Sequence, residues 1–231
     1  GIVQEPTSTV GHGAAALGVL LAYSHRPVVL EVDGEVEATP VEHQLTADAL
    51  FTLGFGGRTA AWLRAPAVVA ERGDDLSALV PGAPPVPTTA LGDLAAGVKA
   101  SLLAGVDRGR PGVAATAEVT APTGDEGSFL GEGAPTVIVH GLVERTGGAW
   151  TWRGSLGPRL RVETSEYLGT ALGHELDWAL GTAVRPAAWG IDRRRRWELH
   201  ADVHGAVALT PELFGDRRSP AFASFAARLR V

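Results

Sequence analysis

The apolar positions of this chain follow two spacings, one that reads as helix and one that reads as strand. Residues 12–23 are apolar nearly all round a helical wheel, which predicts a buried helix stopped by Arg26-Pro27. Residues 45–53 predict a short helix ended by Gly54. Leu91, Leu94, Val98 and Leu102 fall on one helical stripe. So do Leu168, Leu172, Leu176 and Ala179, in a segment capped by Thr164 or Ser165 and running to Leu180. Ser219-Pro220 has the cap-plus-proline form that starts a helix, with Phe222, Phe225, Ala226 and Leu229 as its stripe.

The second spacing is the period of two. Residues 28–32 and 35–38 flank Asp33-Gly34, a strong hairpin signal, and carry Glu31, Asp33, Glu35 and Glu37. Residues 113–119 predict a strand. Residues 136–143 and 149–152 predict a second hairpin around Gly147-Gly148, and residues 160–162 continue the sheet. The clearest strand is 197–209, where Trp197, Leu199, Val203, Val207 and Leu209 share one face. Hairpins mixed with helices, without regular strand–helix alternation, predict an α+β fold: an antiparallel sheet built from hairpins and packed against several amphipathic helices. The chain reads as one globular domain, 1–231, or as two lobes, 1–80 and 88–231, joined by the Pro-rich segment 81–87.

Composition narrows the chemistry. Apolar residues make up 45% of the 231, the share of an ordinary globular protein. No apolar run approaches the roughly 18 residues of a helical membrane span, and no signal-peptide pattern is present. The expectation is therefore a soluble protein with no membrane span, placed in the cytoplasm or exported with its leader removed. The net charge of −6 argues against general nucleic-acid binding. Cysteine is absent, which excludes disulfides, thiolate catalysis and Cys-held metal centres. Methionine is absent too, and Lys99 is the only lysine among many arginines, a bias typical of a high-GC bacterial genome.

Two clusters carry candidate chemistry. His200, Asp202 and His204 alternate on one strand, so they share a face, and Glu198 extends the row. Imidazole and carboxylate together suit a metal ion such as zinc, manganese or iron. The plainer reading is the solvated side of an antiparallel sheet whose other side is apolar. Next, His174-Glu175 lies in the segment read as helix, where Glu175 falls within the apolar stripe. A part-buried carboxylate there suits general-acid chemistry; the plainer reading pairs it with an arginine. Gly11-His12-Gly13-Ala14-Ala15-Ala16 matches a dinucleotide pattern, but the polar, Pro-containing residues before it are not the strand that pattern needs. Arg193–Arg196 and the acidic residues Asp125, Glu126 and Glu132 read as solvated loops. P-loop and nucleophile-elbow motifs are absent, and no cofactor is assigned.

The expected function is a protein-binding or assembly module without intrinsic catalysis, which binds a protein partner or itself. The alternative is a metal-assisted hydrolase. In it, His200, Asp202 and His204 hold the metal and Glu175 or His174 acts as acid or base.

Overall fold

The computed structural model describes residues 7–32, 35–74, 87–103, 109–124, 131, 133–163, 165–167, 170–191, 197–209 and 221–229. The elements are β1 (Ala15–Val32), β2 (Glu35–Phe55), β3 (Thr59–Arg72), β4 (Ala90–Leu91), β5 (Leu94–Leu103), β6 (Gly112–Ala121) and β7 (Thr136–Gly147). They continue with β8 (Trp150–Arg161), β9 (Ser165–Tyr167), β10 (Thr170–Leu172), β11 (Glu175–Val184), β12 (Trp197–Ala208) and β13 (Ala221–Leu229). A single 3₁₀ turn, Pro186–Trp189, precedes β12.

The main sheet runs in the order β1-β2-β3-β5-β6-β7-β8-β11-β12-β13, with β4 paired to β3. Every pairing is antiparallel, and the sheet curls into a half-barrel. Strands that neighbour in space are nearly all neighbours in sequence, so the sheet is an up-and-down meander. The β9–β10 hairpin stands apart as a two-stranded sheet. β3 and β5 pair directly across the Pro-rich segment, of which 81–86 lie outside the described residues.

The hairpin expectations hold. Leu30–Val32 of β1 pairs with Glu35–Ala38 of β2, with Asp33-Gly34 outside the described residues, and β7 meets β8 at the turn where Gly148 takes φ +61. The strand read at 197–209 is β12, and the one read at 113–119 is β6.

The helices do not exist among the described residues, and α+β is corrected to nearly all β. Residues 12–23 enter β1, 45–53 lie in β2, and the stripe from Leu91 to Leu102 is split between β4 and β5. The segment read as a helix up to Leu180 is β9, β10 and part of β11. The last stripe belongs to β13; Ser219-Pro220 lies outside the described residues. The cause of the misreading is arithmetic. A spacing of four is one helical turn, but it is also twice the strand period. Leu94, Val98 and Leu102 therefore align on one side of a strand as well as on one side of a helix. Abundant alanine, a strong helix former, added to the confusion.

Alternation decides the two faces of the curled sheet. Outward positions are apolar and exposed: Leu17 at 81%, Val19, Leu21, Leu63, Val98, Val139, Leu156, Leu180 at 64% and Val203. Inward positions are buried and largely polar: Gln44, Lys99, Ser101, Thr116, Thr136, Glu144, Thr151, Arg161, Glu198, His200 and Asp202. This is the reverse of a water-soluble sandwich, which buries its apolar face.

Candidate functional site

The concave face is a polar interior built by side chains that reach across intervening strands. Trp62 on β3, Gly97 on β5 and Glu118 on β6 share one row. A Cβ at Gly97 would stand 2.2 Å from the Trp62 ring, so only glycine leaves the space. The Trp62 indole N–H thereby reaches Glu118 Oε2 at 2.9 Å. Arg64 donates to Glu118 Oε1 at 2.8 Å and lies 3.8 Å from Asp48 on β2. Nearby, the Gln44 amide donates to Glu71 Oε2 at 2.8 Å.

The same device recurs between β8 and β12. The inward positions of β11 at this end are Ala179, Gly181 and Ala183, all small. Arg153 of β8 passes over them. It donates to Glu144 of β7 at 2.7 Å, lies 3.7 Å from Glu198 of β12, and sits 3.3 Å from His200 Nδ1. Gly181 stands between Arg153 and Asp202 in the register, and a Cβ there would come within 2.2 Å of Asp202 Oδ1. Glu144 is 4% exposed, so this network is removed from bulk water.

A third group lies further along β8. Arg159 donates to Asp177 Oδ2 at 3.0 Å and is 3.8 Å from Glu175. Arg161 is 3.1 Å from Glu175, and His140 Nε2 is 3.7 Å from Asp177. Asp48 Oδ1, Glu71 Oε1, His140 Nε2, Asp177 Oδ1 and Thr182 Oγ1 are buried atoms without a hydrogen-bond partner in the protein. Buried polar atoms of this kind are ordinarily satisfied by water.

The residues singled out in the sequence fall as follows. His200, Asp202 and His204 do share one face of β12 with Glu198, but that face is the enclosed one. The solvated side expected for it is instead the charged inside of the sheet. Among the described residues, no group of three or more His, Asp or Glu side chains is arranged to hold a metal ion. Glu175 is paired with arginine, as its plainer reading had it, and sits on a strand instead of a helix. It stands opposite Ala208, four positions along β12 from His204. His174 is exposed in the connection before β11, where its Nδ1 accepts the Arg161 backbone N–H at 3.3 Å. Arg193–Arg196, Asp125, Glu126 and Glu132 lie outside the described residues. Gly11-His12-Gly13 turns into a strand, not the helix a dinucleotide site requires.

The arginines at 64, 153, 159 and 161 were missed as site residues. Their signal was present: each sits at an alternate position of an otherwise apolar strand, on the side that carries Trp62, Thr151 or Ser155.

The rims carry a different chemistry. At one end, Trp150 stacks on Trp152 with centroids 6.2 Å apart and meets the edge of Trp189. Trp197 is exposed at the same end of β12. At the other end, the Tyr23 hydroxyl is 2.6 Å from His43 Nδ1, and His25 lies against His43 with ring centroids 5.1 Å apart. Between the two rims, the outward strand positions hold no Asp, Glu or Lys among the described residues. Arg145 and Arg72 are the arginines on that side, and each lies near a strand end. Connections at the tryptophan end are 56–58, 104–111, 148–149 and 185–196. Those at the opposite end include the longer 73–93, 122–135 and 162–174. No helix among the described residues is long and apolar enough to cross a membrane.

No protein-family model matches the chain, and no curated protein is significantly similar to it.

Proposed function

We propose that the chain is a transmembrane β-barrel whose convex face meets lipid and whose concave face lines a hydrated, ion-paired interior. The observation that carries this reading is the inversion of the two faces. Each exposed Leu or Val costs about 1.5–3 kcal/mol in water relative to an apolar phase. An apolar face running over most of the sheet far exceeds the few hundred Å² that a soluble monomer exposes. Lipid removes that cost on a convex surface, all the way round. A protein partner, the occupant of the assembly module expected from sequence, would have to wrap the curve.

Several further features agree. Strands of 9–11 residues tilted by about 45° span a bilayer core, and β5, β6, β8 and β11 have 10, 10, 12 and 10 residues. Aromatic rims and charge-free outward positions between them are the pattern of such barrels. Crossing by strands requires no long apolar run, so the criterion applied to the sequence does not address it.

A membrane also forbids open sheet edges. Among the described residues no pairing joins β1 to β13. The ten strands of the main order make β13 antiparallel to β1, so the two edges are oriented to close on each other. A barrel of about this size is filled largely by its own side chains. The interior therefore passes water and small ions at most, and the protein is no wide solute channel.

The test is reconstitution. The full chain, refolded with phosphatidylcholine vesicles, should float with them and resist carbonate extraction. With Val19→Cys and Ala223→Cys or a neighbouring β13 position also replaced, oxidation should cross-link β1 to β13 in this otherwise cysteine-free chain. A monodisperse, folded protein in detergent-free buffer that does not float with vesicles overturns the reading.

A further inference from the structure

The convex face is not uniformly ridged. An open groove of about 690 Å³ crosses β7, β8, β11 and β12, lined almost entirely by apolar surface. Val143, Gly154, Leu180 and Val203 form one continuous outward row in the register, and Trp152 stands in the adjacent row. Gly154 makes the hollow: its missing side chain would contact Val143 Cγ2 at 3.3 Å and Leu180 Cδ2 at 3.4 Å. Arg145, opposite Trp152, closes the end of the groove near the tryptophan rim. It is exposed and makes no ion pair or hydrogen bond with the described residues.

We infer that this groove is a binding site for one anionic phospholipid, with an acyl chain laid over Gly154 and the headgroup phosphate on Arg145. The inference rests on the membrane reading. A lipid fits both halves of the site. Leu180, Val143 and Val203 offer apolar contact, which suits a hydrocarbon chain; Thr182 also lines the groove, and Glu144 and Asp202 border it from the inward face. Of the two arginines that line the groove, Arg153 turns inward to Glu144, and the outward one, Arg145, lies at the rim beside an aromatic residue of the kind that settles at headgroup level. Arginine also presents the planar donor fork that suits phosphate. An apolar peptide would leave Arg145 without a counter-charge and its own backbone unsatisfied in hydrocarbon.

The experiment uses the full chain in phosphatidylcholine vesicles doped with bromine-labelled lipid, either phosphatidylglycerol or phosphatidylcholine, read by quenching of tryptophan fluorescence. Wild type should prefer the anionic lipid about fivefold, the factor expected for one cationic side chain near a membrane surface. Arg145→Gln should abolish the preference, Gly154→Leu should weaken binding by filling the hollow, and Trp152→Phe should remove the reporter of the preferred site. Equal quenching by both lipids, or a preference that survives Arg145→Gln, overturns the site and leaves the membrane reading standing. Absence of quenching by either lipid overturns the membrane reading and the site with it.

Discussion

The two faces of one sheet invert the usual division of labour. On the convex side, Val143, Gly154, Leu180 and Val203 stand in one row that is apolar throughout. One residue away along the same strands, Glu144, Arg153 and Asp202 stand in a row that is buried and charged. The backbone is common to both, so the difference comes only from which side each residue occupies. A sheet in water places its charges outside, because an ion loses several kcal/mol of hydration on burial. Here the enclosed side holds the ions, which the proposed membrane setting accounts for by making the exterior the poorer solvent. The comparison teaches that one backbone carries two opposite chemistries, and that the side a residue takes on the curled sheet decides which environment it meets.

The largest expected effect comes from breaking the inner face. Arg153→Ala strands Glu144 as an unpaired buried carboxylate, while Glu198 keeps Arg185 at 3.9 Å, and should cost about 3–5 kcal/mol in denaturant unfolding from lipid vesicles. Adding Glu144→Gln and Glu198→Gln should restore much of it. If Arg153→Ala is neutral, the interior is open water and the ion-paired lining is wrong.

Breaking the outer face is next. Leu180→Arg places a charge in mid-sheet on the convex side and, if that side meets lipid as proposed, should cost about 2–4 kcal/mol. Leu160→Arg, near the rim, should cost about 0–1 kcal/mol. A soluble sheet would tolerate both equally, so the depth dependence separates the two solvents. Within the interior, Trp62→Phe removes the indole donor to Glu118 and should cost about 1.5 kcal/mol. At the rim, Tyr23→Phe loses an exposed hydroxyl contact with His43 and should change stability by about 0.5 kcal/mol or less. An interior effect no larger than the rim effect would erase the contrast between the regions.

Parts of this architecture were legible in the sequence. The glycine turn at 147–148, the alternation of 197–209 and the Asp-Gly hairpin each carried a local signal that tertiary structure did not override. The helices failed where local signals were shared. Leu168, Leu172 and Leu176 are spaced by four along the sequence, which both periods satisfy. Residues 15–23 are apolar on both sides, with Leu17, Val19 and Leu21 outward and Gly18, Leu20 and Ala22 inward, so no period stood out. His200, Asp202 and His204 share one face as read, but that face is the enclosed one and not the outer side of the sheet. The contact of Arg153 with His200 spans 47 positions along the chain, which no local window contains.

By itself, the sequence determined the alternation: which residues share a side, where the tight turns fall, and which chemistries are unavailable to a chain without cysteine. Only the tertiary structure decided that the shared sides are strand faces throughout, and which face is enclosed. The physical reason is that a period of two is symmetric. It separates apolar from polar residues without saying which set faces the solvent, and that choice is made by the direction in which ten paired strands curl.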